Sequence, residues 1–200
     1  MISSHGHTIF HDPDNNYTKQ IGLGSVIAKS LNIPVVSNFR EQDVSFGGQG
    51  APLVPIGDRL LFGQYSSCLN LGGIANISFE FKKRRSAFDI CPCNMILNFL
   101  SNKLGKDFDK SGIIASEGII NIPLLNALNK IEYYNLSFPK SLGKEYVDNI
   151  FLSIISQFSV STQDVLATFI EHIAIQISHI FLQFNIQNSL LTGGGYLMIF

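Results

Sequence analysis

The sequence has 200 residues, of which 46% are apolar and 11% aromatic, with a formal net charge of −1. A chain of this size and composition buries one large core or two smaller ones. Its 14 Lys and Arg residues include one basic run, Lys82-Lys83-Arg84-Arg85. Nucleic acid is therefore not expected as the main partner, because phosphate binding needs clustered basic side chains.

The first third of the chain predicts short elements. HTIF at residues 7–10 predicts a strand, residues 25–31 a short helix, and IPVV at residues 33–36 a buried strand. The stretch DVSFGGQGAP, Asp43 to Pro52, then places one carboxylate ahead of three glycines. Glycines this dense favour positive φ or close approach of a ligand to the main chain. We expect this loop to hold a ligand.

From residue 68 onward the pattern predicts layers of strands and helices. CLNLGG, IANISFEF and SAFDI predict three strands, joined by a turn at Gly72-Gly73 and by another at the basic run. A helix is expected from Asn94, with Met95, Ile96, Phe99, Leu100 and Leu104 at helical spacing. PLLNALN predicts another helix, and FPKSLGKE predicts a loop entering a further one.

The clearest predicted element is a long helix from about residue 161 to 184. Ser161 and Asp164 form a start like a capping box, and one apolar face is expected to pack on the sheet. This face consists of Val165, Phe169, Ile173 and Ile177. Residues 186–191 predict a buried strand, closed by a triple glycine. The order of elements predicts an α/β fold in which helices cover a sheet.

Two glycine turns at strand ends are suited to nucleotide binding, since backbone N–H groups there can face anionic oxygens. Each signal alone has a structural alternative. Gly72-Gly73 also fits a simple hairpin, and the triple glycine fits a turn of any α/β protein. Asp43 also fits a loop cap, and Asp89 a strand-end carboxylate. His5, His7 and His11 also fit surface imidazoles.

The sequence also predicts a reducing, cytoplasmic environment. No apolar run approaches the ~20 residues of a membrane span, and the start of the chain lacks the regions of a signal peptide. The cysteines Cys68, Cys91 and Cys93 are odd in number, in a chain too long to need disulfides. Cys91-Pro92-Cys93 is too tight for a CxxC site, so reduced structural thiols are expected.

Six segments resemble, in order, successive motifs of the anhydro-N-acetylmuramic acid kinases. They are SHGHTIFHDP, KQIGLGSVIAKSLNIPVVSNFREQDVSFGGQGAPLVP, LNLGGIANISF, FDICPCNMILNFL, PKSLGKEYV and LLTGGG. The resemblance covers almost the whole chain. It implies an actin-like/sugar-kinase ATPase fold with ribonuclease-H-like lobes. Residues 1–65 would form a partial first lobe with the catalytic loop, and residues 66–200 a nearly complete second lobe, truncated at its C-terminus.

The reaction that the resemblance implies uses ATP to phosphorylate O6 of 1,6-anhydro-N-acetylmuramic acid while water opens the anhydro bridge. The product is N-acetylmuramic acid 6-phosphate, in a step of cell-wall sugar recycling. The attacking water must lose a proton, which a nearby carboxylate can accept. Many family members have a second Asp where this chain has Asn38. Because an amide cannot accept that proton, Asp43 is the expected catalytic base.

The remaining site residues are also implied by the resemblance. Gly72, Gly73 and Asn76 would lie on the second phosphate-binding turn of the ATP site, and Gly193, Gly194 and Gly195 beside the adenosine. Asp89 would hold the Mg²⁺ that phosphoryl transfer requires. The residues expected to hydrogen-bond sugar or phosphate are His5, His7, Arg40 and Gln49. The resemblance also suggests a homodimer.

The chain departs from the family pattern in three ways. Cys91-Pro92-Cys93 stands where members commonly have a Gly-Pro-Gly turn. Members begin upstream with a Gly/Ser/Thr-rich first phosphate turn, and they continue beyond LLTGGG. The chain alone is therefore expected to bind ATP–Mg²⁺ weakly at best. Two alternatives stay open: an inactive fragment or sugar-binding module of such a kinase, and another actin-like kinase, which GGQGAPLVP disfavours.

Overall fold

A computed structural model describes residues 1–12, 15–48, 50 and 52–197. The chain forms two compact units, Met1–Gly57 and Asp58–Phe200. The lobe boundary expected between residues 65 and 66 falls in the turn before the first strand of the second unit. That assignment of lobes stays a prediction.

The first unit consists of short elements. They are β1 (Ile2–Ser3), β2 (His7–Asp12), β3 (Tyr17–Ile21), α1 (Gly24–Leu31), β4 (Val35–Val36) and α2 (Phe39–Ser45). β1 pairs with β4 in parallel, and β2 pairs with β3 antiparallel. The predicted HTIF strand and the predicted short helix are confirmed. The predicted burial of IPVV is wrong: Val36 is 45% exposed, because β4 has only β1 beside it in the described chain.

The second unit is a helix-covered sheet, as predicted. Helix α3 (Pro55–Leu61) crosses the division between the units. The other elements are β5 (Ser67–Leu71), β6 (Ile74–Phe81), β7 (Arg84–Pro92), α4 (Asn94–Lys103), α5 (Ile113–Ser116), α6 (Ile122–Asn129), α7 (Lys144–Tyr146), α8 (Ser153–Ser156), α9 (Thr162–Gln183) and β8 (Ser189–Thr192). The sheet order is β7-β6-β5-β8, with β5 antiparallel to β6 and parallel to β8.

The basic run divides between a turn and a strand. Lys82 and Lys83 both have positive φ, 50° and 65°, and make the β6–β7 turn. Arg84 and Arg85 already belong to β7. The prediction of a turn over all four residues is therefore only half right, because Arg84 and Arg85 pair with Phe81 and Glu80 of β6. Arg85 also donates to Ser78 Oγ at 2.9 Å.

Helix α9 organises the core of the second unit. Ser161 Oγ accepts the N–H of Asp164 at 3.0 Å, which confirms the predicted cap. Val165, Phe169 and Ile173 are buried in one cluster with residues of the sheet, such as Ile77, so the predicted packing face is confirmed. α9 is also long and apolar enough to span a membrane by length and composition. The helix has no uninterrupted apolar run of that length, since polar residues recur along it, and it buries one face inside the unit.

Two other apolar patterns differ from expectation. The last strand begins at Ser189 rather than at Ile186, and Leu191 is 49% exposed, because β8 lies at the edge of the sheet. In α4 the buried residues include Leu97, whereas Phe99 is 40% exposed. Helical spacing predicted the helix correctly, but the buried face of α4 is rotated about the helix axis relative to the predicted apolar face, towards Leu97 and away from Phe99.

Asp109 is a buried carboxylate that fixes the start of α5. It is 1% exposed, and its two oxygens accept the N–H groups of Ile114 and Ala115, each at 2.9 Å. Asp109→Ala leaves both donors unsatisfied, so we expect it to lower the free energy of unfolding by about 2–4 kcal/mol. Asp109→Asn keeps one acceptor and should cost less. Urea unfolding tests this, with the exposed Asp107→Ala as control.

Candidate active site

Asp43 lies near the end of α2 and is held by the glycine loop that follows it. Its Oδ2 accepts the N–H of Gly50 at 2.7 Å, and its backbone carbonyl accepts the N–H of Gly48 at 2.8 Å. A Cβ on Gly48 would lie 2.2 Å from Oδ2, so only glycine leaves room for the carboxylate. Asp43 is solvent-exposed. The loop therefore orients one carboxylate oxygen while the residue stays accessible to a ligand.

Arg40 binds the same loop through the carbonyl group of Gly50, whereas Asp43 binds the N–H of that glycine. Its Nη1 donates to the Gly50 carbonyl at 2.8 Å, and its Nε is buried without a partner among the described residues. Burial lowers the pKa of Arg40. Gly50 has a φ of 64°, and a Cβ there would lie 2.8 Å from Val44 Cγ2. The predicted contact of Arg40 with sugar or phosphate stays a prediction.

The predicted contact of His5 and His7 with sugar or phosphate stays a prediction. His5 and His7 are exposed, and within the described ranges no hydrogen bond joins either to Asp43. His11 instead lies beside the loop, with Cε1 3.4 Å from the position of a Cβ on Gly50. Its Nδ1 is 3.1 Å from Thr18 Oγ1. His11 lies on β2, where it pairs with Thr18 of β3. Extending the predicted HTIF strand by one residue would have included His11.

Gln49 and Asn38 are two further positions of the segment around Asp43. Gln49, expected to contact the substrate, lies outside the described residues. Asn38 occupies the N-cap position of α2 with a φ of 65°, and its side chain makes no capping hydrogen bond. A role for Asn38 as a capping amide is therefore unsupported.

In the second unit, the Gly72-Gly73 turn uses its carbonyl groups to cap α4. The Gly72 carbonyl accepts the N–H of Asn94 at 3.1 Å, and the Gly73 carbonyl accepts those of Cys93 and Met95 at 2.9 and 3.0 Å. Neither glycine N–H donates to an acceptor in the described part of the chain. The N–H groups that stay available at this turn are thus those of the two glycines rather than those at the start of α4.

The two predicted glycine turns meet at the end of β5. A Cβ on Gly193 would lie 2.6 Å from both Asn70 Oδ1 and the carbonyl carbon of Leu71, and one on Gly195 would lie 2.8 Å from Leu71 Cβ. A Cβ on Gly72 would lie 3.1 Å from Asn70 Nδ2. The Asn70 side chain therefore lies between the turns. Asn70 was not predicted as a site residue, although it lies just ahead of the Gly72-Gly73 turn.

Gly194 and Asn94 complete this end of the sheet. A Cβ on Gly194 would lie 3.8 Å from Asn94 Nδ2, which donates to the Leu71 carbonyl at 3.0 Å. Asn94 was likewise not predicted as a site residue. All three glycines of the 193–195 turn are thus close to the end of β5 or to the start of α4.

Asn76 and Asp89 are neighbours across the sheet. The register pairs Asn76 with Asn70 on β5 and with Asp89 on β7, which puts three polar residues in one row. Asp89 Oδ2 accepts the N–H of Leu142 at 2.9 Å, and burial raises the pKa of Asp89. No cluster of three or more His, Cys, Asp or Glu suited to a metal occurs among the described residues. A metal role for Asp89 stays a prediction.

The cysteines are free and buried, as expected of reduced structural thiols. Burial raises the pKa of Cys93 to about 11 and that of Cys91 well above its ordinary value, so both thiols are neutral at pH 7. Cys93 Sγ lies 3.4 Å from the position of a Cβ on Gly195. The departure from a Gly-Pro-Gly turn therefore places a thiol next to the last glycine turn.

Gly193 and Gly73 form a matched pair for testing this packing. Gly193 has a φ of 85° and no space for a Cβ, whereas a Cβ on Gly73 meets nothing within 4 Å. We expect Gly193→Ala to lower the free energy of unfolding by about 2 kcal/mol or more, and Gly73→Ala to change it by less than about 0.5 kcal/mol. Equal effects in thermal unfolding would contradict the close approach of the 193–195 turn to β5.

Comparison with known proteins gives consistent matches. The family model described as anhydro-N-acetylmuramic acid kinase matches residues 1–198. A relative with that name from Aliivibrio fischeri is 38% identical over 97% of this chain and 56% of its own length. Relatives with the same name from Legionella pneumophila (strain Corby) and Clostridioides difficile are 36% and 37% identical. The chain thus spans about 56% of the length of these relatives.

Proposed function

The chain belongs to the anhydro-N-acetylmuramic acid kinase family, and we propose that it contributes the catalytic-base loop and a nucleotide-binding surface of such a kinase. The substrate would be 1,6-anhydro-N-acetylmuramic acid, and the product N-acetylmuramic acid 6-phosphate. The observation that carries this proposal is the carboxylate of Asp43, accessible and fixed by Gly50 N–H at 2.7 Å, with Gly48 leaving room beside it.

Asp43 would act as a general base on water. Water oxygen forms a bond to the anomeric carbon as the bond from that carbon to the bridging O6 breaks. Asp43 takes a proton from the water, and O6 takes the γ-phosphoryl group of ATP, which leaves ADP. The Gly50 N–H holds Oδ2, so the carboxylate is already oriented before substrate arrives.

The proposed ATP surface is the junction of the two glycine turns. The N–H groups of Gly72 and Gly73 have no acceptor within the described ranges, which supports their use for phosphate oxygens. Gly193 and Gly195 lie against Leu71, and Asn70 between the turns adds an amide that can donate and accept.

Mg²⁺ would be held at the row of Asn70, Asn76 and Asp89. Mg²⁺ prefers oxygen ligands and usually takes only one or two carboxylates besides phosphates and water. Asp89 fits, since Leu142 N–H occupies only its Oδ2, and the two amides add further oxygens. The metal would neutralise charge on the transferring phosphoryl group.

The strand arrangement supports the finer fold assignment. Three consecutive antiparallel strands, followed by a strand that returns parallel to the first, fit a ribonuclease-H-like lobe for the second unit. The first unit would belong to the partial first lobe of an actin-like kinase. Family resemblance alone supports a cytoplasmic homodimer, which sedimentation equilibrium of the complete protein would test.

The function can be tested in a chimera in which this chain replaces the matching 56% of the Aliivibrio fischeri relative. We expect ADP release that depends on the anhydro-sugar, and a phosphorylated, ring-opened sugar detectable by mass spectrometry. A folded chimera that binds the sugar but releases no ADP would reject the kinase proposal. That result would favour the second candidate function, a sugar-binding module. This candidate is tested because the chain spans only about 56% of the length of its relatives.

A further inference from the structure

A cleft opens between β7, the end of α9 and the segment before α7. It is remote in sequence from Asp43 and from both glycine turns. Its volume is about 290 Å³. Three phenylalanines, Phe88, Phe138 and Phe184, line it together with Tyr134, Gln183 and Lys140. This volume is at the lower end of the ~300–1,000 Å³ typical of small-molecule sites. It suits a ligand of one or two fused rings.

The aromatic rings of the cleft are already ordered by one another. Phe88 and Phe138 stack with centroids 5.4 Å apart and an interplanar angle of 19°. Phe138 and Phe184 meet edge to face, with centroids 5.5 Å apart. Since the rings hold each other in place, a flat apolar ligand would gain contact area without having to order the wall it binds.

Lys140 gives the cleft a positive charge that has no ion-pair partner among the described residues. Its Nζ donates to the Tyr133 carbonyl at 3.1 Å and lies 4.6 Å from the centroid of the Tyr133 ring. Neither ion pair of the described chain involves it. The nearby Asp89 carboxylate is bonded by Leu142 N–H instead. Burial lowers the pKa of Lys140, as expected for an ammonium group that lacks an anion.

A half-buried ammonium group with two unused donors, at the wall of an aromatic cleft, is complementary to an anion on an apolar body. We propose that this cleft binds a small organic anion, with a flat apolar ring against Phe138 and Phe184 and a carboxylate on Lys140. The proposal uses no residue of the proposed kinase reaction and stands apart from it.

Two probes with the same ring system, one anionic and one neutral, test the proposal on this chain. 1-Naphthoate carries the carboxylate, and 1-naphthalenemethanol is its neutral counterpart. We expect titration calorimetry to give at least about tenfold tighter binding for 1-naphthoate, because a charge-assisted hydrogen bond is worth at least that factor. Equal binding of the two probes, or binding of neither at millimolar concentration, would overturn the proposal.

Three variants locate the site. Lys140→Met should remove the advantage of 1-naphthoate and leave the alcohol unchanged, whereas Lys130→Met, which removes an exposed lysine elsewhere in the unit, should change neither. Ser137→Trp, at the exposed mouth of the cleft, should weaken both probes. An equal loss in Lys130→Met would show nonspecific attraction. Self-association that Ser137→Trp abolishes would identify a second copy of the chain as the occupant. Either result would reject the proposed ligand.

Discussion

In the chimera, Asp43→Asn is expected to lower kcat by roughly 10²–10⁴-fold while leaving sugar affinity nearly unchanged. The substitution keeps the shape of the side chain and removes its basicity. Asn38→Asp, added to Asp43→Asn, should restore no rate, because the side chain at this position makes no capping hydrogen bond to α2 that would orient it. ADP release and direct titration of the sugar measure the two quantities separately.

Glu41 provides a matched control for Asp43. It is an exposed carboxylate on the same helix, and it has no hydrogen bond to the glycine loop in the described chain. Glu41→Gln removes the same charge from α2 and should leave kcat within about threefold of the parent value. If Asp43→Asn also kept near-normal turnover, Asp43 would not be the base, and its bond to Gly50 would serve the loop alone.

The features that sequence predicted well are those determined locally. The carboxylate of Asp43 and the glycines that make room for it lie within a few residues of each other. The β5–β7 strands follow from alternation and turn residues, and the start of α9 follows from a Ser161 cap bonded within one helical turn. In each case the contact that fixes the element joins neighbours in the chain, so the spacing of residues contains the information.

The features that sequence missed depend on contacts between distant segments. Asn70 meets Gly193 only because β8 pairs in parallel with β5, which brings Asn70 opposite Thr192. Periodicity likewise assigns the polar side of α9 to solvent. In the fold, α9 also contacts α4, α5 and α6, so Thr168, His172 and Gln176 on that helix are buried. No local pattern distinguishes a polar residue facing water from one facing a buried partner.

The partners of His172 define its protonation state. Asn129 Oδ1 is 2.7 Å from His172 Nδ1 and also accepts from Gln176 Nε2 at 2.8 Å. Since this oxygen can only accept, Nδ1 carries the proton of a neutral imidazole. Nε2 then accepts from the Tyr134 hydroxyl at 2.7 Å. Both ring nitrogens are thus satisfied with His172 neutral, the state that burial favours.

This network predicts that the second unit loses stability in mild acid. Burial lowers the pKa of His172 from 6.5 to about 3, so the unfolded chain binds the extra proton between these values. The contribution of the neutral ring is complete above pH 6.5 and declines as the pH falls towards 3, by about 1.4 kcal/mol per pH unit and on the order of 5 kcal/mol in all. Urea unfolding between pH 4.5 and 6.5, above the range where most carboxylates titrate, should show this slope.

His172→Gln should be less stable at pH 7 and should lack the slope, whereas His179→Gln, which removes an exposed histidine of the same helix, should retain it. Identical slopes in the parent chain and in His172→Gln would mean that the buried ring is not the group that senses acid.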